Sequence, residues 1–561
     1  MSSKESSTSV PAELYLATDE KTIAAASDLQ RSNLETNSGE NAIADTAPIE
    51  YPNAFKLTLL LVATALSVFI VSLDTTIVST AIPRITEEFH SLEDEAWYGS
   101  GFFMTMAAFQ SCFGKAYKYF HIKPVFFISV FIFEVGSLIC AVAPNSPTLI
   151  VGRAIAGVGG AGTASGCYLI IGTSAPPHRV PALLGIVGAC FAVAAVVGPL
   201  LGGVFTEHVS WRWCFYINLP IGGLTLLVIL LFFSPPSHVQ PVKASRKEKL
   251  LQMDPFGIIL ILGALISLSL TLQWGGASKS WQSGDVIATL IVSFVLFVAF
   301  GVWEYRAGEW ASVNARILRE SRTISLLMGF QFLINGCIFI ALYFLPLYYQ
   351  GVQGLNPGQS GVKTIPLLGL AAGGAIIAGL IYMFTGEWQA PTIAGAMLVA
   401  VGSGLLYTLN SMSSDSQAIG YQCIVGVGLG FTVQVAITVG QVVAKAEDLS
   451  VVSAMALFFQ LVGGAIWISV AQSVFVNRLA GFLSVQFNVD RATIVAAGAT
   501  GGRQGLSGSL LETVVEGYVL GLKDVWVLCV ALAGAATAIA LLHGVVDRRK
   551  LPRGTLLAMP A

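Results

Sequence analysis

Two fully charged side chains, Asp74 and Arg153, lie inside long apolar runs, and a third ionisable residue, Glu134, sits in the middle of another. A charge at the centre of a membrane helix costs about 2.5 kcal/mol or more, so such residues are rare, pair with one another and mark ion or proton pathways. Asp74 falls in Leu73-Asp74-Thr75-Thr76-Ile77-Val78, about two-thirds of the way through the first apolar segment; Arg153 falls early in the fourth. At about 1.5 Å per residue, Asp74 is expected roughly 13 Å below the outer end of its helix and Arg153 roughly 9 Å below its own. Matched depth permits an acid–guanidinium pair, and an acid released from such a pair can take up a proton when its surroundings change. Gly157, one turn on from Arg153, is expected to clear space beside the guanidinium. The competing readings are a static ion pair or helix caps near the interface. For Glu134 the competing reading is a buried carboxyl that stays protonated.

A second pattern is one of shape. Five glycines (Gly185, Gly188, Gly198, Gly202, Gly203) and Pro199 share one apolar helix. Glycines four residues apart let helix backbones approach closely, and a proline is tolerated in a membrane helix where neighbours re-satisfy the freed backbone. Gly185, Gly198, Pro199, Gly202 and Gly203 therefore make a candidate hinge. Gln331 and Asn335, four apart and on one helix face, join Tyr343, Gln434 and Gln460 as a candidate polar and aromatic substrate cavity. Interhelical hydrogen bonding explains the same residues equally well.

The elements that must position these residues follow from composition. Of 561 residues 55% are hydrophobic and 11% charged, with mean hydropathy +0.74. Soluble domains carry about 25% charged residues, and a membrane-crossing helix needs about 20 apolar residues. Fourteen such segments are read near 57–82, 96–117, 125–143, 148–172, 182–205, 213–233, 256–274, 285–303, 323–349, 361–384, 389–409, 417–441, 449–476 and 521–545. They group as six, two and six: an all-α polytopic membrane fold of two six-helix bundles plus two inserted helices. The boundaries are a disordered cytoplasmic tail over 1–50, a first bundle over 51–235, and a linker with inserted helices over 236–310. A second bundle over 311–546 has a long outer loop at 477–520, and a cytoplasmic tail follows over 547–561. Lys115, Lys118, Lys123, the Lys243–Lys249 run, Arg306–Arg322 and Arg548–Arg553 all fall on one side. The positive-inside rule makes that side, and both termini, cytoplasmic.

The composition also excludes classes. The net charge of −2 and the lack of a basic cluster give no support to nucleic-acid binding. No Walker A pattern, G-x-S-x-G elbow or paired histidines at metal-ligand spacing occur, so neither catalysis nor a metal is expected. The eight cysteines form no CxxC and read as small helix residues. No cofactor is expected; energy would come from an ion gradient.

Several of these motifs carry a family resemblance over about residues 50–550. Gly198-Pro199-Leu200-Leu201-Gly202-Gly203 resembles the helix-five antiporter motif of the major facilitator superfamily. Leu73–Val78 followed by Ala81-Ile82-Pro83 is similar to the helix-one motif of its fourteen-helix drug:proton antiporters. The run from Leu149 through Arg153, Gly157 and Gly159 resembles the helix-four motif whose arginine is implicated in proton transfer. Trp211-Arg212-Trp213-Cys214-Phe215-Tyr216-Ile217-Asn218-Leu219-Pro220 is typical of the fungal toxin and secondary-metabolite efflux branch. The resemblance implies a proton-coupled exporter of hydrophobic small molecules, monomeric, in the plasma membrane or an internal vesicle membrane, its partners being the bilayer, protons and substrate. Alternatives are an uptake symporter for a siderophore or nutrient, and a non-transporting sensor. One departure stands out. The family's loop between helices two and three usually reads G-x-x-x-D-x-x-G-R-[KR], whereas Gly114-Lys115-Ala116-Tyr117-Lys118 places a lysine where the acid belongs. This puts the usual acid-mediated latch of the inner face in doubt.

Overall fold

The computed structural model describes residues 52–89, 95–235, 240–276, 279–487, 508–546 and 550–551. Fourteen long helices cross it: α1 (Ala54–Phe89), α2 (Glu95–Tyr119), α3 (Ile122–Ala141), α4 (Ser146–Ser174), α5 (Val180–His208), α6 (Asn218–Phe232), α7 (Pro255–Trp274), α8 (Gly284–Ala307), α9 (Arg322–Leu347), α10 (Pro357–Thr385), α11 (Gln389–Tyr407), α12 (Asp415–Thr432, continued as Val435–Val443), α13 (Leu449–Phe487) and α14 (Ser509–Val546). Among the described residues, thirteen spans are long and apolar enough to cross a bilayer on composition alone. The exception is α2, whose 25 residues have the length but include polar groups turned into the bundle. The expected tail at 1–50, and that at 547–561 apart from residues 550–551, lie outside the described residues. The expected outer loop at 477–520 is shorter than read, because α13 continues to Phe487 and α14 begins at Ser509. Both extensions stay amphipathic enough to pack: Leu479, Leu483, Val514 and Tyr518 are buried.

Local chemistry sets the ends. Asn145 accepts a hydrogen bond from the Thr148 N–H at the start of α4, and Ser321 does the same for Ile324 in α9. Asn356 with Gln359 and Ser414 with Gln417 form reciprocal capping boxes on α10 and α12. Only three residues separate α10 from α11, and Gly386 turns the chain there at φ 67°, a left-handed conformation that glycine adopts without Cβ strain.

The packing repeats. In the first half α1 packs on α5 and α6, α2 on α4, and α3 on α4 and α6; in the second half α9 packs on α13 and α14, α10 on α12, and α11 on α12 and α14. Adding eight to each number of the first set gives the second, so α1–α6 and α9–α14 are two copies of one arrangement. The halves meet along two seams, α5 on α10 and α2 on α13, which that pairing also exchanges. The inserted hairpin α7–α8 lies over the second seam, with α7 touching both α2 and α13. Most of α8 is exposed, including Leu290, Ile291, Phe294, Val295 and Val298, as a lipid-facing helix requires.

Candidate functional site

The face where α1 begins and α2 ends carries the lysine- and arginine-rich loops and is called the basic face below. Three groups of residues define the site: a polar network inside the first half, a glycine seam along α5, and the contacts that draw the halves together at the basic face.

In the network, α1 supplies Asp74 and α4 supplies Arg153, and both side chains are completely buried. Arg153 Nη1 donates to Asp74 Oδ2, and its Nε donates to the Tyr98 carbonyl of α2 at 2.7 Å. The guanidinium lies over the Phe102 ring, 4.6 Å from its centroid, with Phe215 on another side at 5.9 Å. Aromatic faces attract a cation most strongly where water is absent. The other carboxylate oxygen, Asp74 Oδ1, accepts from Asn218 Nδ2 of α6 at 3.1 Å, and the same amide reaches Ser137 Oγ of α3 at 3.2 Å. Five helices thus converge on one carboxylate.

Two buried groups in this network keep unused capacity among the described residues: Arg153 Nη2 and Asn218 Oδ1. Glu134, one turn from Ser137 on α3, is buried against Gly222 of α6, where an added Cβ would stand 1.7 Å from its Oε1. Neither oxygen of Glu134 has a hydrogen-bond partner among the described residues. Asp74 and Arg153 are therefore joined directly, while Glu134 stands beside them without a bond to either.

Gly157 takes a different place from the one expected. A Cβ there would meet Thr105 Oγ1 at 2.2 Å and the Phe102 carbonyl at 2.3 Å. It admits the backbone of α2 instead of making room for the guanidinium itself, while Gly160, one turn nearer the basic face, is the glycine that meets the Phe102 ring. Gly159 does the same for α3, whose Phe133 N–H would lie 2.1 Å from its Cβ.

The α5 glycines divide by depth. Gly198 and Gly202 seat α1: added Cβ atoms would stand 2.1 Å from Thr76 Oγ1 and 2.1 Å from Thr80 Oγ1. Thr76 Oγ1 donates to the Ala194 carbonyl at 3.2 Å, in the turn before Pro199, where the proline disturbs helical bonding. Asp74 is on the same α1 turn as Thr76, so this contact links α5 to the turn that carries the carboxylate. Nearer the basic face, a Cβ added at Gly185 would stand 2.7 Å from the Ala375 carbonyl of α10, and one added at Gly379 of α10 would stand 2.5 Å from the Pro181 carbonyl. Gly203 has nothing within 4 Å of its Cβ, so it takes no part in the close packing expected of the motif.

The candidate cavity residues do not form one group. Gln331 and Asn335 are fully buried; Gln331 Nε2 donates to the Val433 carbonyl at 3.0 Å, Asn335 Nδ2 donates to the Gln331 carbonyl at 3.0 Å, and their side-chain oxygens have no partner among the described residues. Gln434 instead bridges the halves, donating to Tyr168 Oη at 3.2 Å beside Gly188. Tyr343 is exposed, about a third of a turn round α9 from Gln331, and Gln460 is half-buried. Phe103 of α2 stacks edge-on against Phe339 of α9 with centroids 5.6 Å apart, an aromatic contact between halves that the sequence did not single out.

At the basic face Lys118 donates to Asp448, which precedes α13, at 2.8 Å, and Arg316 reaches both oxygens of Asp448 at 3.1 and 3.0 Å. Burial, the largest influence on Asp448, pushes its pKa up; the hydrogen bonds from Lys118 and Arg316 outweigh it, and the carboxyl stays below its ordinary value. Lys115 donates to the Glu309 carbonyl at 3.0 Å, and Glu309 pairs with Arg316 at 2.8 Å. The lysine that replaces the expected acid has a carboxylate waiting on the other half, so the latch is present with its charges exchanged. Gly114 brings α2 within reach of Ala454 and the Ser450 carbonyl, and Gln441 of α12 binds the Tyr168 carbonyl of α4 at 3.0 Å. At the other end Gly361, Gly369 and Gly373 of α10 have nothing within 4 Å of an added Cβ. The halves are closed together at the basic face.

Asn218 is the functional residue that sequence reasoning passed over, although it stands inside the Trp211–Pro220 run; an amide opening an apolar helix was the available signal. The rest of that run has a separate task. Trp211 Nε1 donates to Glu88 Oε2 at 2.7 Å and Arg212 to Glu88 Oε1 at 2.9 Å, while Arg212 also binds the Ala143 carbonyl at 3.2 Å. Those bonds, Arg212 first and Trp211 second, lower the Glu88 pKa, and they tie the far end of α1 to the α3–α4 turn.

Two like halves of six membrane helices, the first enclosing a buried polar network, define a polytopic secondary-transporter architecture. The Major Facilitator Superfamily model matches residues 64–468, and the chain belongs to that superfamily; it is a multi-pass membrane transporter and not an enzyme. Among its relatives, the MFS-type transporter grgE of a Penicillium species is 41% identical over 95% of this chain and 96% of its own. The probable efflux pump gsfJ of Penicillium aethiopicum is 44% identical over 89% of each chain, and the MFS-type efflux pump MFS1 of Trichophyton rubrum is 39% identical over 89% and 93%. Among solved structures, the human organic anion transporter MFSD10 aligns with TM-score 0.53 at 14% identity over 84% of this chain and 99% of its own. The proton:xylose symporter XylE aligns at 0.53 and 13% over 88% and 96%. At such identities these two show the fold alone.

Proposed function

We propose that this chain is a proton-coupled exporter of hydrophobic small organic molecules such as toxins, secondary metabolites or drugs, working by alternating access. The observation that carries this reading is the Asp74 carboxylate, sealed from solvent with one oxygen on Arg153 and the other on Asn218. A carboxylate held by hydrogen bonds from movable helices gains or loses proton affinity when those helices shift. The α5 glycine seam supplies such a shift, since Gly198 and Gly202 grip α1 while Gly185 grips α10 of the other half. Export rather than uptake is supported by the helix-five motif and by the efflux-pump names of the fungal relatives. With the basic face cytoplasmic, as its lysines and arginines favour, the closed latch makes this the outward-facing state. Gln331 and Asn335, with unused acceptors beside aromatic walls, are the side chains assigned to substrate. A monomer in the plasma membrane is the setting proposed.

The test is uptake of hydrophobic dyes and toxins into inside-out vesicles under an imposed pH gradient. Uptake that collapses with a protonophore and is absent in Asp74→Asn, at equal amounts of folded protein, is expected. Full gradient-driven uptake in Asp74→Asn would remove Asp74 from the mechanism. Movement in the opposite direction would turn the reading to a symporter.

A further inference from the structure

Where α9 begins and α12 ends, the basic face holds an open cleft of about 400 Å³, within the size range of small-ligand sites. Arg319, Arg322 and Lys445 line it with the apolar side chains of Ile317, Ile324 and Val452. Its cations are unevenly satisfied. Arg322 makes no hydrogen bond or ion pair among the described residues, and Arg319 has only a cation–π contact, 5.3 Å from the Tyr305 ring centroid. Lys445 is held by Glu320 at 3.0 Å. Of the two acids in the cleft, Asp448 is taken by Lys118 and Arg316, and Glu320 by Lys445 and Arg316. Among the described residues, two guanidiniums are left facing a cavity without a counter-charge.

We propose that this cleft binds the phosphate-bearing headgroup of an anionic membrane lipid. Guanidiniums are matched to phosphate by their planar fork of donors, and basic pockets between membrane helices take lipid headgroups. The depth fits. The apolar spans Arg322–Val352 and Asp415–Val443 begin and end at the cleft, which sets it at the level of lipid phosphates. The approach fits as well: Tyr305, under Arg319, is 69% exposed and closes the lipid-facing surface of α8. A lipid can therefore slide along α8 and place its headgroup between Arg319 and Arg322. A free anion shares the phosphate chemistry but gains nothing from the lipid-facing entry. The site depends on the membrane setting and not on proton coupling, so it stands or falls separately from the transport reading.

The test is thermal unfolding of the delipidated full-length protein in detergent, titrated with dioctanoyl phosphatidylglycerol, dioctanoyl phosphatidylcholine or inorganic phosphate. Phosphatidylglycerol is expected to raise Tm saturably by several degrees, and the other two to leave it within a degree. The double variant Arg319→Gln, Arg322→Gln should raise the half-saturating concentration at least tenfold. Glu320→Gln, an exposed change that frees Lys445, should lower it several-fold, which tests the site even if the double variant is unstable. Inorganic phosphate reproducing the whole shift overturns the lipid assignment. An unchanged titration in Glu320→Gln, or in a folded double variant, overturns the site.

Discussion

Asp74 and Arg153 are each tolerable in the membrane because of the other, and the consequence is measurable. Removing one member of a buried pair strands the other charge and costs about 3–5 kcal/mol, whereas replacing both is often close to neutral. Asp74→Asn is therefore expected to lower Tm by more than the double change Asp74→Asn, Arg153→Gln, while transport is lost in both. Additive Tm losses in that double-mutant cycle would mean the two side chains do not depend on each other. Glu134 is a separate case. With both oxygens bare against Gly222, its neutral analogue Glu134→Gln is expected to fold at least as well as the parent, checked by Tm. A large loss would show that its charge is held by something in that interface.

At the scale of elements, the helix-five motif is two seams on one helix. Gly198 and Gly202 face α1, and Gly185 faces α10, so each position predicts a different outcome from its packing. Valine at 202 must displace Thr80 and the Ile77 carbonyl; overpacking of that kind costs about 1–3 kcal/mol. Gly202→Val should thus lose most transport with a lowered Tm. Gly203→Ala meets nothing and should keep near-parental transport, with Tm equal or slightly higher because alanine favours helix. Equal damage at 202 and 203 would mean that the motif acts through backbone flexibility and not through the α1 contact. The inserted hairpin is likewise built in rather than appended. Asp254, at φ 49°, caps α7 and also accepts from Trp303 Nε1 at 2.7 Å and the Ser312 N–H at 2.9 Å. That carboxylate fixes the 308–316 turn, from which Arg316 reaches Asp448.

For the whole molecule the question is what holds the basic face shut. Asp448 is the shared acceptor of a lysine from the first half and an arginine next to the insert. Its folded pKa is depressed, so its stabilisation is full above the ordinary aspartate value near 4 and is lost only as pH falls through the lower folded value. Between about pH 5 and 7 the pairs that Asp448 makes should not respond to protons. In a cysteine-free background with Ala454→Cys, the thiol labelling rate, corrected for thiolate fraction, should stay flat over that range and rise several-fold in Asp448→Asn. Lys118→Asp should open the face in the same way, and Lys118→Asp with Asp448→Lys should close it again in part. A corrected rate that climbs between about pH 5 and 7 would put a proton sensor in the Asp448 pairs themselves.

Much of this was legible along the chain. The class, the fourteen crossings, the six-two-six grouping and the isolation of Asp74 and Arg153 follow from where the bilayer allows charge, because hydrocarbon imposes the same cost wherever a residue sits in the sequence. Motif spacing placed Gly198 and Gly202 on a close-packed helix. Which surface each glycine meets depended on neighbours 52 to 190 residues away: Gly157 serves α2, Gly185 serves α10, and Gly203 serves no contact. The partner of Lys118 is 330 residues distant, so a substitution that looked like a lost latch proved to be an exchanged one only after α2 and the start of α13 were brought together. Asn218 likewise looked like part of a signature until folding set its amide on Asp74. Burial cost is a property of one residue and its flanks, and sequence determines it; pairing is a property of two, and only the tertiary structure decides which two.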